Sequence, residues 1–154
     1  MSDISDTAQL TAMLRSHVER ALMEIWERPD LVVDDDGDYP FRTQTSVCWV
    51  RVVESDDPAV RVFSHAAVGV KKTARMLTEL NDLNQQARWA KLAWCHGVIV
   101  VDVVLHWTNV DQASLSRALD AVSGVSDDVG SLFAGVFGGS TPFPLDLSED
   151  SPAA

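Results

Sequence analysis

The sequence predicts an α+β fold: a twisted antiparallel sheet with an N-terminal helix, a middle helix and a long C-terminal helix. Three observations carry that prediction. Three separate segments repeat their apolar residues at helical spacing. The stretches between them are rich in valine and aromatics and are cut by turn-forming sequences. The two kinds of segment follow one another as helix, strands, helix, hairpin, helix, without the regular strand–helix alternation of a parallel sheet. At 154 residues and 46% hydrophobic content the chain supports one core and is short for two. A single domain is expected over residues 1–139, followed by an acidic, proline-containing tail over 140–154 that is expected to be disordered.

The first helix is read from Thr7 to Arg28, where Leu10, Met13, Leu14, Val18, Ala21, Leu22 and Ile25 form an apolar stripe. Ser5 or Asp6 offers an N-cap, and Pro29 stops the helix because it lacks an amide donor. The period then changes. Residues 32–41, VVDDDGDYPF, read as a hairpin turning at Asp36-Gly37, with Val32 facing Phe41 and Asp34 facing Tyr39. SVCWVRVVE and AVRVF follow as strands joined by the turn ESDDP. A second helix is expected from Thr73 to Gln86, with Met76, Leu77, Leu80 and Leu83 on one side.

The next hairpin, RWAKLAWCHGVIVVDVVLHW, fixes its own register if His96-Gly97 is the two-residue turn. Trp94 then pairs with Ile99, Leu92 with Val101, and Lys91 with Asp102. Strand alternation puts Leu92, Trp94, Ile99, Val101, Val103 and Leu105 on one face. Trp89, Lys91, Ala93, Val98, Val100, Asp102, Val104 and His106 share the other. Asp111 caps a last helix with the stripe Leu115, Leu119, Val122, Val125, Val129, Leu132, Phe133 and Val136, ended by Gly138-Gly139. Gly124 and Gly130 weaken its middle enough to permit a break there.

Charge and motifs exclude several functions. A formal charge of −11, with 12 Lys and Arg, lacks the clustered cations that nucleic acid or an anionic membrane surface requires. The N-terminus has no basic and apolar leader pattern, and no apolar run spans a bilayer, so a cytoplasmic protein is expected. Cys48 and Cys95 read as small buried thiols. The four carboxylates of DDDGD do not match a calcium loop: with Gly37 at the sixth position, Val32 falls first and Thr43 twelfth. They also repel a phosphate. Asp36-Gly37 is therefore assigned as a structural turn, with no metal and no cofactor. The four histidines have no metal-ligand spacing. Cys95 and His96 are neighbours, but adjacent strand residues point to opposite faces, so no catalytic residue is assigned.

What stands out instead is the apolar content of the second hairpin face. An antiparallel sheet face in water should be polar, yet this one keeps Val98, Val100 and Val104 beside Trp89, Lys91 and Asp102. Together with Trp49 these residues are the candidate partner or dimer surface. The competing reading is that a helix covers this side as well.

The run DDDGDYPFR, then SVCWVRVVE, AVRVFSHAAVGV, LTELNDLNQQARWAKLAWCHGVIVVDVVL and the long final helix resembles the YbjN family of bacterial proteins. That family shares the fold of type III secretion chaperones of the CesT kind. The resemblance covers Thr7 to Gly139; its most specific pieces are the turn at Asp36 to Asp38 and the LNxLN pattern at Leu80 to Asn84. RTQTS, at Arg42 to Ser46, departs from the tighter glycine turn of the pattern. The resemblance implies a non-enzymatic, homodimeric protein-interaction module, chaperone-like or regulatory, that binds a segment of a client protein on apolar sheet or helix surface. A small-molecule sensor with a pocket between sheet and helices is the alternative.

Overall fold

A computed structural model describes residues 2–144. The elements are α1 (Ser2–Ile25), β1 (Tyr39–Arg42), β2 (Val47–Val53), β3 (Ala59–Ala67), α2 (Ala74–Gln86), β4 (Lys91–Cys95), β5 (Val98–His106), a 3-10 turn (Trp107–Asn109) and α3 (Gln112–Phe137). The five strands form one antiparallel sheet in the order β1-β2-β3-β5-β4. This is the expected α+β architecture.

The helices lie on the face that carries the buried valines of the central strands. Val50 and Val52 of β2 and Val60 and Val62 of β3 pack with Leu14, Val18 and Leu22 of α1 and with Leu115, Leu119 and Val122 of α3. A second cluster joins Met76 and Leu80 of α2 to Leu92, Ile99 and Val101 of the hairpin and Val129 and Phe133 of α3. Helix α3 therefore spans both halves of the core. It runs unbroken through Gly124 and Gly130. Gly130 is there because the helix backbone presses on β3: a Cβ would sit 2.4 Å from the Ala66 carbonyl oxygen. The buried hydroxyls of Ser64 and Ser126 bond to each other across the same contact.

Helix α1 begins before Ser5 and Asp6, which lie inside it and cap nothing, and it ends three residues short of Arg28. Its end is closed by paired backbone bonds, Glu27 N–H to the Glu24 carbonyl at 3.3 Å and Arg28 N–H to the Met23 carbonyl at 3.0 Å, with Glu27 left-handed at φ 52. Met13, placed on the apolar stripe, is exposed. Asp111 caps α3 as expected, reinforced by Ser114 in a reciprocal pair, and Gly138 ends it at φ 69.

Residues 32–41 do not form the expected hairpin. Asp34 N–H bonds the Asp38 carbonyl at 2.9 Å, Gly37 N–H bonds the Asp34 carbonyl at 3.0 Å, and the Asp34 carboxylate accepts from the amides of Asp36 and Asp38. The turn thus spans Asp34 to Gly37, with positive φ at Gly37 (83°) and not at Asp36. β1 starts after it and pairs only with β2, so Val32 has no partner at Phe41 and stays exposed. β1 is an edge strand, as Pro40 suggested.

The segment RTQTS makes a short turn held from across the molecule. The Asp127 carboxylate of α3 accepts from the Thr43 hydroxyl at 2.6 Å, from the Thr45 hydroxyl at 2.9 Å and from the Thr45 amide at 3.1 Å. Of the expected tail, Ser140 pairs with Val68, the Phe143 amide bonds the Thr45 carbonyl, and Arg42 lies over the Phe143 ring at 3.6 Å. Residues 140–144 are therefore docked on the domain, and 145–154 lie outside the described residues. No helix among the described residues is long and apolar enough to cross a membrane.

Candidate functional site

The second hairpin adopts the register read from its sequence: Lys91 faces Asp102, Leu92 faces Val101 and Trp94 faces Ile99. His96 and Gly97, at φ 48 and 86, supply the two left-handed residues of the turn. With the register fixed, the alternation carries across the sheet. Trp49, Phe63, Asp102 and Lys91 form one cross-strand row, and Val47, His65, Val100 and Ala93 the next. This face is turned away from all three helices. It carries a hollow of about 550 Å³ lined by Trp49, Phe63, His65, Val100, Ala93 and the charged residues around them.

The floor of the hollow is aromatic. The Trp49 and Phe63 rings stack at 5.2 Å, and His65 meets Trp49 edge-on at 4.7 Å. Phe63 is only 6% exposed although no helix covers it. Its shield is local: the guanidinium groups of Arg51 and Arg61 lie over its ring at 4.9 and 4.4 Å. Asp38 grips Arg51 through two nitrogens at 2.6–3.1 Å, which raises the arginine pKa still further. Asp102, nearly buried, bonds Arg61 at 2.8 Å and meets Lys91 at 3.6 Å. Burial, and secondarily the Arg61 charge, hold the His65 imidazole below its ordinary pKa.

Of the residues named from sequence, Trp49, Lys91, Val100 and Asp102 line this hollow. Val98 lies beside them at the hairpin tip, and Val104, 55% exposed, extends the face past Arg61. Trp89 is elsewhere. It precedes β4, so strand alternation does not govern it. With Val103, Leu105, Arg117, Ala118 and Ala121 it borders a groove of about 590 Å³ between β5 and α3, on the helix side of the sheet. Sequence reasoning overlooked Arg51, Arg61, Phe63 and His65. The period-two pattern of WVR and RVFSH held that signal.

Neither alternative chemistry assembles. Cys95 ends β4 exposed on the open face, contrary to the buried thiol expected, His96 sits in the turn, and no hydrogen bond joins them among the described residues. Buried Cys48 has its thiol pKa pushed up to about 12, by burial first and the Asp127 charge second, which keeps it protonated and inert. Oxygens of Asp34, Asp36 and Asp38 come within 4.8 Å of one another. The Asp38 carboxylate is already committed to Arg51 and that of Asp34 to two amides, so the cluster is explained by the turn.

The sequence model of one family, described as T3SS (YopN, CesT) and YbjN peptide-binding chaperone 1, matches residues 12–145. Two solved structures share the fold. A chain of the ExsC-ExsE complex superposes with a TM-score of 0.61 at 13% identity, over 77% of this chain and 94% of that one. A chain of the HopA1-SchA chaperone-effector complex gives 0.60 at 10% identity, over 77% and 93%. No curated protein matches the sequence.

Proposed function

Since the chain belongs to the family of T3SS and YbjN peptide-binding chaperones, we propose that it is a non-enzymatic, chaperone-like protein that holds an extended segment of a client protein against the open face of its sheet. One observation carries the placement: the face without helices has an aromatic floor, Trp49 stacked on Phe63, inside a hollow of about 550 Å³. Phe63 is already shielded by Trp49 and the two guanidinium groups, so the surface a client would cover is the half-buried Trp49 ring, whose apolar area is removed from water at roughly 25 cal/mol per Å². The neighbouring Val98, Val100 and Val104 would widen the contact.

The groove at Trp89 lies on the opposite side, so a second copy of the chain could pair there without competing for the client. That arrangement supports a homodimer, in which Trp89, 77% exposed, would be covered. The unpaired thiols of Cys48 and Cys95 suit the cytoplasm.

The test is parallel affinity capture from a lysate of the native host, using wild type and Trp49→Ala, with mass spectrometry of what is retained. Trp49 contributes nothing to either helix-side cluster, so the variant should fold. A client held by wild type and lost from Trp49→Ala supports the proposal. A client held equally by both moves the site off this face, and none on either refutes client binding.

A further inference from the structure

Arg51 and Arg61 stand directly opposite one another on β2 and β3, a placement that is unfavourable for like charges unless something offsets it. Phe63 beneath both and a carboxylate beside each supply part of the offset. The accounting is incomplete. Asp38 occupies Nε and Nη2 of Arg51, and Asp102 occupies only Nε of Arg61. Nη1 of Arg51 and both Nη groups of Arg61 find no acceptor among the described residues. The two side chains are 39% and 30% exposed, and both line the hollow on the sheet face.

Resting on the peptide-binding reading above, we propose that this arginine pair recognises one acidic side chain of the bound segment, a glutamate or aspartate whose carboxylate bridges Arg51 and Arg61. Planar guanidinium groups match the two oxygens of a carboxylate. The local charge opposes a dianion more than a monoanion. Arg51, Arg61 and Lys91 are balanced there by Asp36, Asp38 and Asp102, so a dianion such as phosphate would meet three carboxylates with no excess of cations. Spacing fits as well. Arg51 and Trp49 are two residues apart on one strand, the same-face repeat of an extended peptide. A segment with its acid over the arginines therefore sets an apolar side chain over Trp49. The site would select by sequence inside a protein whose overall charge of −11 otherwise favours basic partners.

The experiment titrates the full chain with acetyl-Val-Thr-Glu-Thr-Val-amide, whose valines share the face of the glutamate, and with its glutamine counterpart, following the arginine Nε–H signals by NMR. The glutamate peptide should shift the Arg51 and Arg61 signals and bind about tenfold tighter, as charge-assisted bonds exceed neutral ones. Arg61→Lys and Arg51→Lys keep the charge opposite Asp102 and Asp38 but lose the planar fork, and each should remove most of that preference. Equal binding of the two peptides to wild type overturns the arginine-pair assignment and leaves client binding standing. Failure of both peptides to bind overturns the arginine-pair assignment alone, because client binding is decided separately by the capture experiment with Trp49→Ala. A preference undiminished in both lysine variants also overturns it. A third probe, the glutamine peptide with a free C-terminus, should bind like its amide; tight binding by it would make a terminal carboxylate the ligand and refute the side-chain assignment.

Discussion

His65 shows at the scale of one residue how the open face is coupled to pH. Its imidazole is held below the ordinary value of 6.5 by burial and by Arg61. The unfolded chain therefore binds a proton at a pH where the folded chain does not. Stability must then rise with pH across that window and fall as pH drops from 6.5 to the folded value. Other charged groups near the hollow, Lys91, Arg51, Asp38 and Asp102, belong to ion pairs of their own. Chemical denaturation at intervals between pH 7.5 and 5 should show His65→Gln with a flatter profile than wild type. An unchanged slope would assign the pH dependence elsewhere. The acidic turn gives the opposite expectation. Because the Asp34 and Asp38 carboxylates are already hydrogen-bonded, millimolar calcium should leave the melting temperature unchanged. A rise abolished by Asp34→Asn would show that an ion binds there.

At the scale of elements, the sheet is held at two contacts that side-chain hydrophobicity alone does not provide. The first is the crossing of α3 over β3. Gly130→Ala would place a methyl carbon 2.4 Å from the Ala66 carbonyl oxygen, and such overpacking costs about 1–3 kcal/mol. Gly124 has open space around its would-be Cβ, so Gly124→Ala should instead stabilise by roughly 1 kcal/mol through helix propensity. Urea midpoints of the two variants should move in opposite directions. The second contact is Asn84, whose amide donates to the Leu92 carbonyl and accepts from the Leu92 amide, both at 2.8 Å. β4 is an edge strand, and this side chain stands in for a missing neighbour at Leu92. Asn84→Ala should cost about 1–2 kcal/mol and speed hydrogen exchange at Leu92 ahead of Val101. Uniform exchange along the hairpin would mean that Asn84 does not guard the edge.

At the scale of the whole molecule, the hollow on the open sheet face and the groove around Trp89 lie on opposite sides of the sheet. If the second joins two copies, light scattering at micromolar concentration should give twice the 16.8 kDa chain mass, and Trp89→Asp should shift it toward one. The same change at Trp94 should unfold the domain, because Trp94 packs on the α2 cluster and its indole N–H donates to the Val70 carbonyl. A wild type that is monomeric at every concentration would rule out the dimer.

The sequence by itself determined whatever follows from local periodicity and turn chemistry. The helix stripes, the His96-Gly97 turn and the Lys91–Asp102 register were legible because each depends on residues a few positions apart. Tertiary structure decided the rest. Trp89 was assigned to the open face by extending strand alternation past the start of β4, and the chain bends before that rule applies. Gly130 read as a weakness of α3 because its reason, the Ala66 carbonyl, lies 64 positions away in sequence. The Arg51–Arg61 pair was hidden for the same reason. Their alternation was visible strand by strand, but only the pairing of β2 with β3 sets the two charges side by side over one aromatic ring. Local patterns fix which face a residue takes, whereas neighbours across a sheet depend on register between distant segments, which hydrophobic burial and closed backbone hydrogen bonds select only in the folded chain.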